Sequence, residues 1–228
     1  MYQNMTKPFA DFKEDLRLFC KQNKIDKDKI SIVGVSKKKS LEDILNLYKL
    51  GLRDFGENYA QELNEKSLAV NSEKIRWHFM GPIQTNKIGL IVKNSYLVHS
   101  VDRERVVKKM DSESKKINKI QKILVQVNIS GETSKSGIST DDTEEFINFV
   151  DSFNNLELAG LMFLPNINQD KASHIKEIID SVALFNDMKS KRKNIKVLSL
   201  GTSSDYKECI KAGSNLIRVG EILFGPRV

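Results

Sequence analysis

Three consecutive lysines, Lys37, Lys38 and Lys39, directly follow the apolar run ISIVGVS at Ile30–Ser36. A lysine run most often belongs to a solvated loop, and that reading stands for this one too. A lysine at the end of a buried strand has a second use. Partial desolvation lowers its pKa and favours the neutral amine that attacks an aldehyde. Lys37 can take that place while Lys38 and Lys39 turn outward. Two further segments suit an anion. SLGTSSD (Ser199–Asp205) leads glycine and small hydroxyl residues into a helical stretch, and IRVGEILFG (Ile217–Gly225) carries Gly220, where backbone could approach a ligand closely. Ordinary turn glycines at Gly201 and Gly220 would give the same pattern, so both readings remain open.

Other chemistries find less support. His78, between Trp77 and Phe79, reads as a packed residue, or one behind a ligand, more than as a catalyst. His99 sits at a strand end and could face a ligand or its neighbours, whereas His174 follows no strand end and reads as a solvated helix residue. No two histidines have metal-ligand spacing, and HExxH is absent. Ser100, Ser130, Ser134 and Ser136 lack a GxSxG context. Cys20 and Cys209 stand far apart, which suits a reducing cytoplasm and argues against a disulfide framework or zinc site. Cys209, in YKECIKAG, reads as packing.

The elements that would position these groups alternate in kind. A helix is expected over Met5–Gln22, with Phe9, Phe12, Leu16 and Phe19 at helical spacing. Strand-like runs follow at Ile30–Ser36, Arg53–Phe55, Ile75–Met80, Tyr96–Val98, Ile123–Ile129, Leu158–Phe163, Val197–Leu200 and Leu216–Val219. Helical stretches separate them: Leu41–Leu50 (N-capped by Ser40), Tyr59–Ala69, Thr85–Lys93, Arg103–Lys116, Asp142–Phe153, Lys171–Lys191 and Ser204–Ala212. Alternation implies parallel strands, and eight such units in just over 200 residues predict a closed (β/α)8 barrel preceded by one extra helix. An open doubly wound sheet would need an early GxGxxG, which is absent. No linker or composition shift interrupts the chain, so residues 1–228 read as one domain.

In such a barrel, functional groups come from strand C-termini and the loops after them. Lys37 follows strand one, the two anion segments follow strands seven and eight, and all open on one mouth. An amine and an anion site there specify a phosphorylated carbonyl ligand. Pyridoxal 5′-phosphate (PLP) and a sugar-phosphate aldehyde both fit.

Bulk properties narrow the partners. The net charge is +7, yet the lysines are spread over helix faces, with no aromatic-interleaved basic patch or nucleic-acid-binding motif. No apolar run approaches the roughly 20 residues of a membrane helix, and the N-terminus lacks a secretory h-region. Nucleic acid and membrane are therefore not expected as partners.

Seven ordered motifs carry a resemblance over nearly the whole chain: VGVSK (Val33–Lys37), FGENYAQE (Phe55–Glu62), WHFMGPIQTNK (Trp77–Lys87), HSVDR (His99–Arg103), QVNISGETSKSGI (Gln126–Ile138), GLMFLP (Gly160–Pro165) and RVGEILFG (Arg218–Gly225). Together they resemble the pyridoxal phosphate homeostasis proteins, relatives of the N-terminal barrel of alanine racemase. The resemblance implies PLP held as a Schiff base on Lys37, with Arg218 near the pyridine nitrogen. It also implies Asn58 and Met162 along the ring, and Ser203, Gly220 and Glu221 at the phosphate. Two positions depart from the family pattern: Ser40 stands where proline is usual, and Thr202 where GMS is common.

The same resemblance implies a carrier or buffer of PLP without dedicated catalysis, with PLP-dependent apo-enzymes as partners; the cysteine usage points to the cytoplasm, and with no obvious dimerisation domain a monomer is the simplest expectation. An amino-acid racemase is the alternative. Racemization would need a second acid/base, a tyrosine from a C-terminal domain. The chain ends at FGPRV shortly after strand eight, so that domain is expected to be missing.

Overall fold

The computed structural model describes residues 3–70, 74–132 and 135–225; Ser134 and the terminal Pro226–Val228 lie outside the described residues. Helix α1 (Gln3–Gln22) precedes eight strands: β1 (Ser31–Val35), β2 (Asp54–Glu57), β3 (Arg76–Phe79), β4 (Leu97–Val101), β5 (Gln121–Val127), β6 (Leu156–Phe163), β7 (Val197–Ser199) and β8 (Leu216–Val219). Helices α2 (Leu41–Lys49), α3 (Ala60–Ala69), α4 (Ile88–Asn94), α5 (Glu104–Lys116), α6 (Thr143–Asp151), α7 (Lys171–Lys191), α8 (Tyr206–Ala212) and the short α9 (Glu221–Phe224) follow the strands in turn. The strands pair in sequence order, all parallel, and β1 closes on β8. The expected barrel with its extra helix is the observed one.

Side-chain alternation builds two apolar layers. On β5, Leu124 packs with Val33, Leu97, Met162 and Leu216 from four other strands, inside the barrel. Its neighbours Ile123 and Val125 join the larger cluster beneath the helices. Helix α1 buries Phe9, Phe12, Leu16 and Cys20 and packs on α2 and α9. Close strand approach demands a small residue in one place: a Cβ on Gly160 would lie 1.9 Å from the Val197 carbonyl oxygen.

Ser40 caps α2 through a capping box, accepting from the Asp43 N–H while its own N–H donates to the Asp43 carboxylate. A proline at this position could not make the second bond, which gives the departure from the family pattern a local use.

Several boundaries differ from expectation. Strand β4 runs on to Val101, so His99 and Ser100 lie within it rather than after it. Polar residues interrupt an apolar run in the sequence. Inside the barrel they remain in the strand because their polar atoms find partners. Helix α4 is preceded by a 3-10 turn at Thr85–Lys87, and α9 was not expected at all.

Candidate functional site

The C-terminal ends of the strands surround a cavity of about 420 Å³, within the usual range for small-molecule sites. All seven residues singled out from the sequence line it: Lys37, Asn58, Met162, Ser203, Arg218, Gly220 and Glu221. Val35, Met80 and Leu164 add apolar wall. Asn58 is pressed into place by Gly81, where a Cβ would lie 1.9 Å from the Asn58 carbonyl oxygen.

The amine side is anchored from below. Ser36, the last residue before Lys37, donates its hydroxyl to Glu57 Oε1 at 2.6 Å. Buried Lys66 reaches the Ser36 carbonyl at 2.7 Å, Glu57 Oε1 at 2.8 Å and Glu62 Oε1 at 2.7 Å. Burial pushes the Glu57 carboxyl above its ordinary range, against the opposing pull of those hydrogen bonds. Lys38 takes a left-handed φ of +59° and donates its backbone N–H to Glu62 at 2.6 Å. That turn leaves Lys37 half-buried at the cavity and Lys38 exposed. Lys39 departs from expectation. It also lines the cavity, because its ammonium reaches back to the Phe224 carbonyl at 3.2 Å.

Across the cavity, the loop after β7 turns at Gly201, whose φ of +108° suits glycine. Asp205 Oδ1 accepts from the Thr202 N–H at 2.6 Å and the Thr202 hydroxyl at 2.9 Å. Ser203 Oγ accepts from the Gly220 N–H at 3.1 Å, tying the two anion segments together. His174 is not a solvated helix residue. Its ring bridges the Asn166 carbonyl at 2.9 Å and Asp205 Oδ2 at 3.2 Å, so α7 braces the same loop.

Arg218 is buried and donates to Ser199 Oγ and to the Phe163 carbonyl at 2.9 Å. Burial pushes it down to about 10, which leaves it a cation at neutral pH. Ser199 Oγ also lies 2.9 Å from His99 Nδ1. His99 Nε2 in turn lies 2.8 Å from His78 Nδ1, and His78 Nε2 lies 2.9 Å from Asp54 Oδ1. Both histidines are thus packed groups behind the cavity. Cys20 and Cys209 are buried as free thiols, and burial pushes both thiols up. Among the described residues, no group of histidine, cysteine or carboxylate side chains could hold a metal ion. No helix among them is long and apolar enough to cross a membrane.

The model of the alanine racemase N-terminal domain family matches residues 22–228. A pyridoxal phosphate homeostasis protein of Vibrio alginolyticus is 35% identical over 204 residues, 88% of each chain. One from Escherichia coli is 33% identical over 205 residues, 88% of this chain and 87% of that protein. The chain belongs to the pyridoxal phosphate homeostasis protein family. Solved structures share the fold. PipY of Synechococcus elongatus, with PLP bound, superposes with a TM-score of 0.85 at 22% identity, covering 97% of this chain and all (100%) of that one. Alanine racemase of Clostridium difficile has a TM-score of 0.75 at 16% identity, and 94% of this chain matches 60% of that enzyme.

Within this family member, sequence reasoning passed over Asp54 and Lys66 and took Ser199 and Asp205 only as the ends of an anion-suited segment, although all four hold lining residues from behind. Glu62 and Lys66, four apart on α3, gave a helical-pair signal. Asp205 sits three residues after Thr202 in one loop, whereas Asp54 and Ser199 carried no local signal, since their partners lie on other strands.

Proposed function

We propose that this protein binds PLP in the barrel-mouth cavity, with Lys37 as the Schiff-base lysine, and serves as an intracellular PLP carrier or buffer. One observation carries the reading: a half-buried lysine and a buried arginine share one cavity with the Ser203 hydroxyl and the Gly220 backbone. The donor set fits the cofactor. Lys37 offers the amine, Met162 and Asn58 border the ring, and Ser203 with the backbone amides of Gly220 and Glu221 takes the phosphate. Arg218 faces the pyridine nitrogen. PLP brings an aldehyde and an electron-withdrawing ring; a guanidinium beside the ring nitrogen keeps it unprotonated and weakens the electron sink.

That last feature favours holding over turnover. Residues 1–228 act as one cytoplasmic, monomeric domain that passes PLP to apo-enzymes, without nucleic acid or membrane as partner.

The purified protein incubated with PLP gains an imine absorbance band that borohydride abolishes, leaving a mass adduct on Lys37. No band, or an adduct that persists in Lys37→Ala, overturns the assignment. Robust D/L interconversion of alanine, followed by chiral chromatography, would replace the carrier reading with the racemase one.

A further inference from the structure

The bond between His99 and Ser199 joins β4 to β7, strands that are not neighbours in the sheet, so it crosses the barrel interior. It is one link in a continuous buried string. The string starts at Asp54 on β2, passes His78 on β3, His99 on β4 and Ser199 on β7, and ends at Arg218 on β8. Nothing in the proposed binding chemistry accounts for its first three members.

The ends of the string dictate its protons. Arg218 can only donate. Asp54 is the acceptor: burial opposes its ionisation, but hydrogen bonds from His78 and Arg76 prevail and keep its carboxyl below the usual range. Arg76 grips both carboxylate oxygens, at 2.7 and 2.6 Å, from the half-exposed end of β3. His78 must then donate from Nε2, and in that single tautomer its Nδ1 is the acceptor. His99 Nε2 fills that acceptor, and His99 Nδ1 accepts from the Ser199 hydroxyl. Burial, with the Arg218 cation nearby, keeps His99 uncharged. Ser199 is left with its lone pairs toward the guanidinium. Every hydrogen points away from Arg218 and toward Asp54.

We propose that Asp54 fixes the direction of this string, so that Ser199 always presents an acceptor to Arg218 and the guanidinium is held in one orientation at the cavity. Asp54, His78 and His99 are positioning residues: they act on the ligand ring only through Arg218. This extends the PLP reading and rests on it for its consequence at the ligand, though not for the proton order itself.

Two measurements test it. Long-range 15N–1H NMR of the histidine rings in the protein without PLP should show His78 and His99 each as a single Nε2–H tautomer. In Asp54→Asn that order gives way to mixed tautomers, while Arg76→Ala, which leaves the carboxylate in place, retains it. Ring spectra showing mixed tautomers or a charged His99 in the wild type overturn the proposal. With PLP added, Asp54→Asn should weaken affinity about tenfold or more, the scale of one hydrogen bond to a charged group, and move the pH midpoint of the imine band. Ser199→Ala, which cuts the last link and spares Asp54, should do the same and decides the matter if Asp54→Asn does not fold. Unchanged affinity and midpoint in a folded variant refute the coupling. A wild type that forms no imine band refutes the PLP reading alone, since the ring spectra still report the string.

Discussion

Lys66 Nζ lies 2.8 Å from Glu57 Oε1 and 2.7 Å from the carbonyl of Ser36, the residue immediately before Lys37. A cation buried in this way ties α3 to the ends of β1 and β2, and so sets where the lysine turn begins. Removing one partner of a buried pair leaves the other charge uncompensated, at about 3–5 kcal/mol. Lys66→Met should lose stability on that scale in urea unfolding and also weaken PLP uptake, because the Lys37 turn loses its anchor. A loss below about 1 kcal/mol would mean that the pair contributes little.

Burial keeps the folded-state pKa of His99 well below 6.5. The unfolded chain then binds a proton that the folded protein refuses once the pH falls below 6.5. Stability contributed by the neutral ring is complete above that value and declines on acidification. His99→Gln should show a shallower fall in stability below pH 6.5 than the wild type, measured by denaturant titration at several pH values. Parallel curves would contradict the neutral, buried assignment.

Lys119 donates to the Val92 and Ser95 carbonyls at the end of α4, at 2.5 and 2.6 Å, and burial pushes it down to about 8. Between about 8 and the ordinary 10.5 the unfolded chain holds more protons, so this residue makes stability rise with pH across that window. Relative to Lys119→Met, the wild type should gain stability as pH increases through it. A constant difference between the two would show that folding does not lower this pKa.

Gly201 combines a φ of +108° with a Cβ position only 3.0 Å from Cys209 Cβ. Gly201→Ala adds backbone strain of about 1–2 kcal/mol and displaces the loop that presents Ser203. Thermal unfolding should shift down, and PLP affinity should drop while the far-ultraviolet spectrum stays native. Wild-type affinity in the variant would argue that the loop does not contact the ligand.

Much of the barrel was legible because its signals are local. Each β-rich run followed by an amphipathic stretch reports its own burial, and the eight repeats add up to closure. Lys37 and the two anion segments were legible for a related reason, because strand ends and the loops after them occur at known places once the strands are assigned; Asn58, Met162 and Arg218 were legible through the family motifs. His99 marks where this reasoning stops. Its polar neighbours ended the predicted strand early, whereas the folded β4 continues because His99 and Ser100 are hydrogen-bonded, to His78 with Ser199 and to the Gly81 carbonyl respectively.

His174 and Lys39 fail for the same physical reason. A polar residue on a helix or in a lysine run looks solvated until its partner is known. His174 meets Asp205, and Lys39 meets the Phe224 carbonyl 185 residues away.

By itself, then, the sequence determined the parallel eight-stranded barrel, the lysine after the first strand and the small-residue loops after the last two. Those follow from periodicity, which each segment carries alone. Tertiary structure alone decided which polar groups stand behind the site: Lys66 under the Lys37 turn and the Asp54-to-Arg218 string across the barrel. Their positions depend on closing the sheet, which brings residues from opposite strands within hydrogen-bond distance and leaves no trace in local pattern.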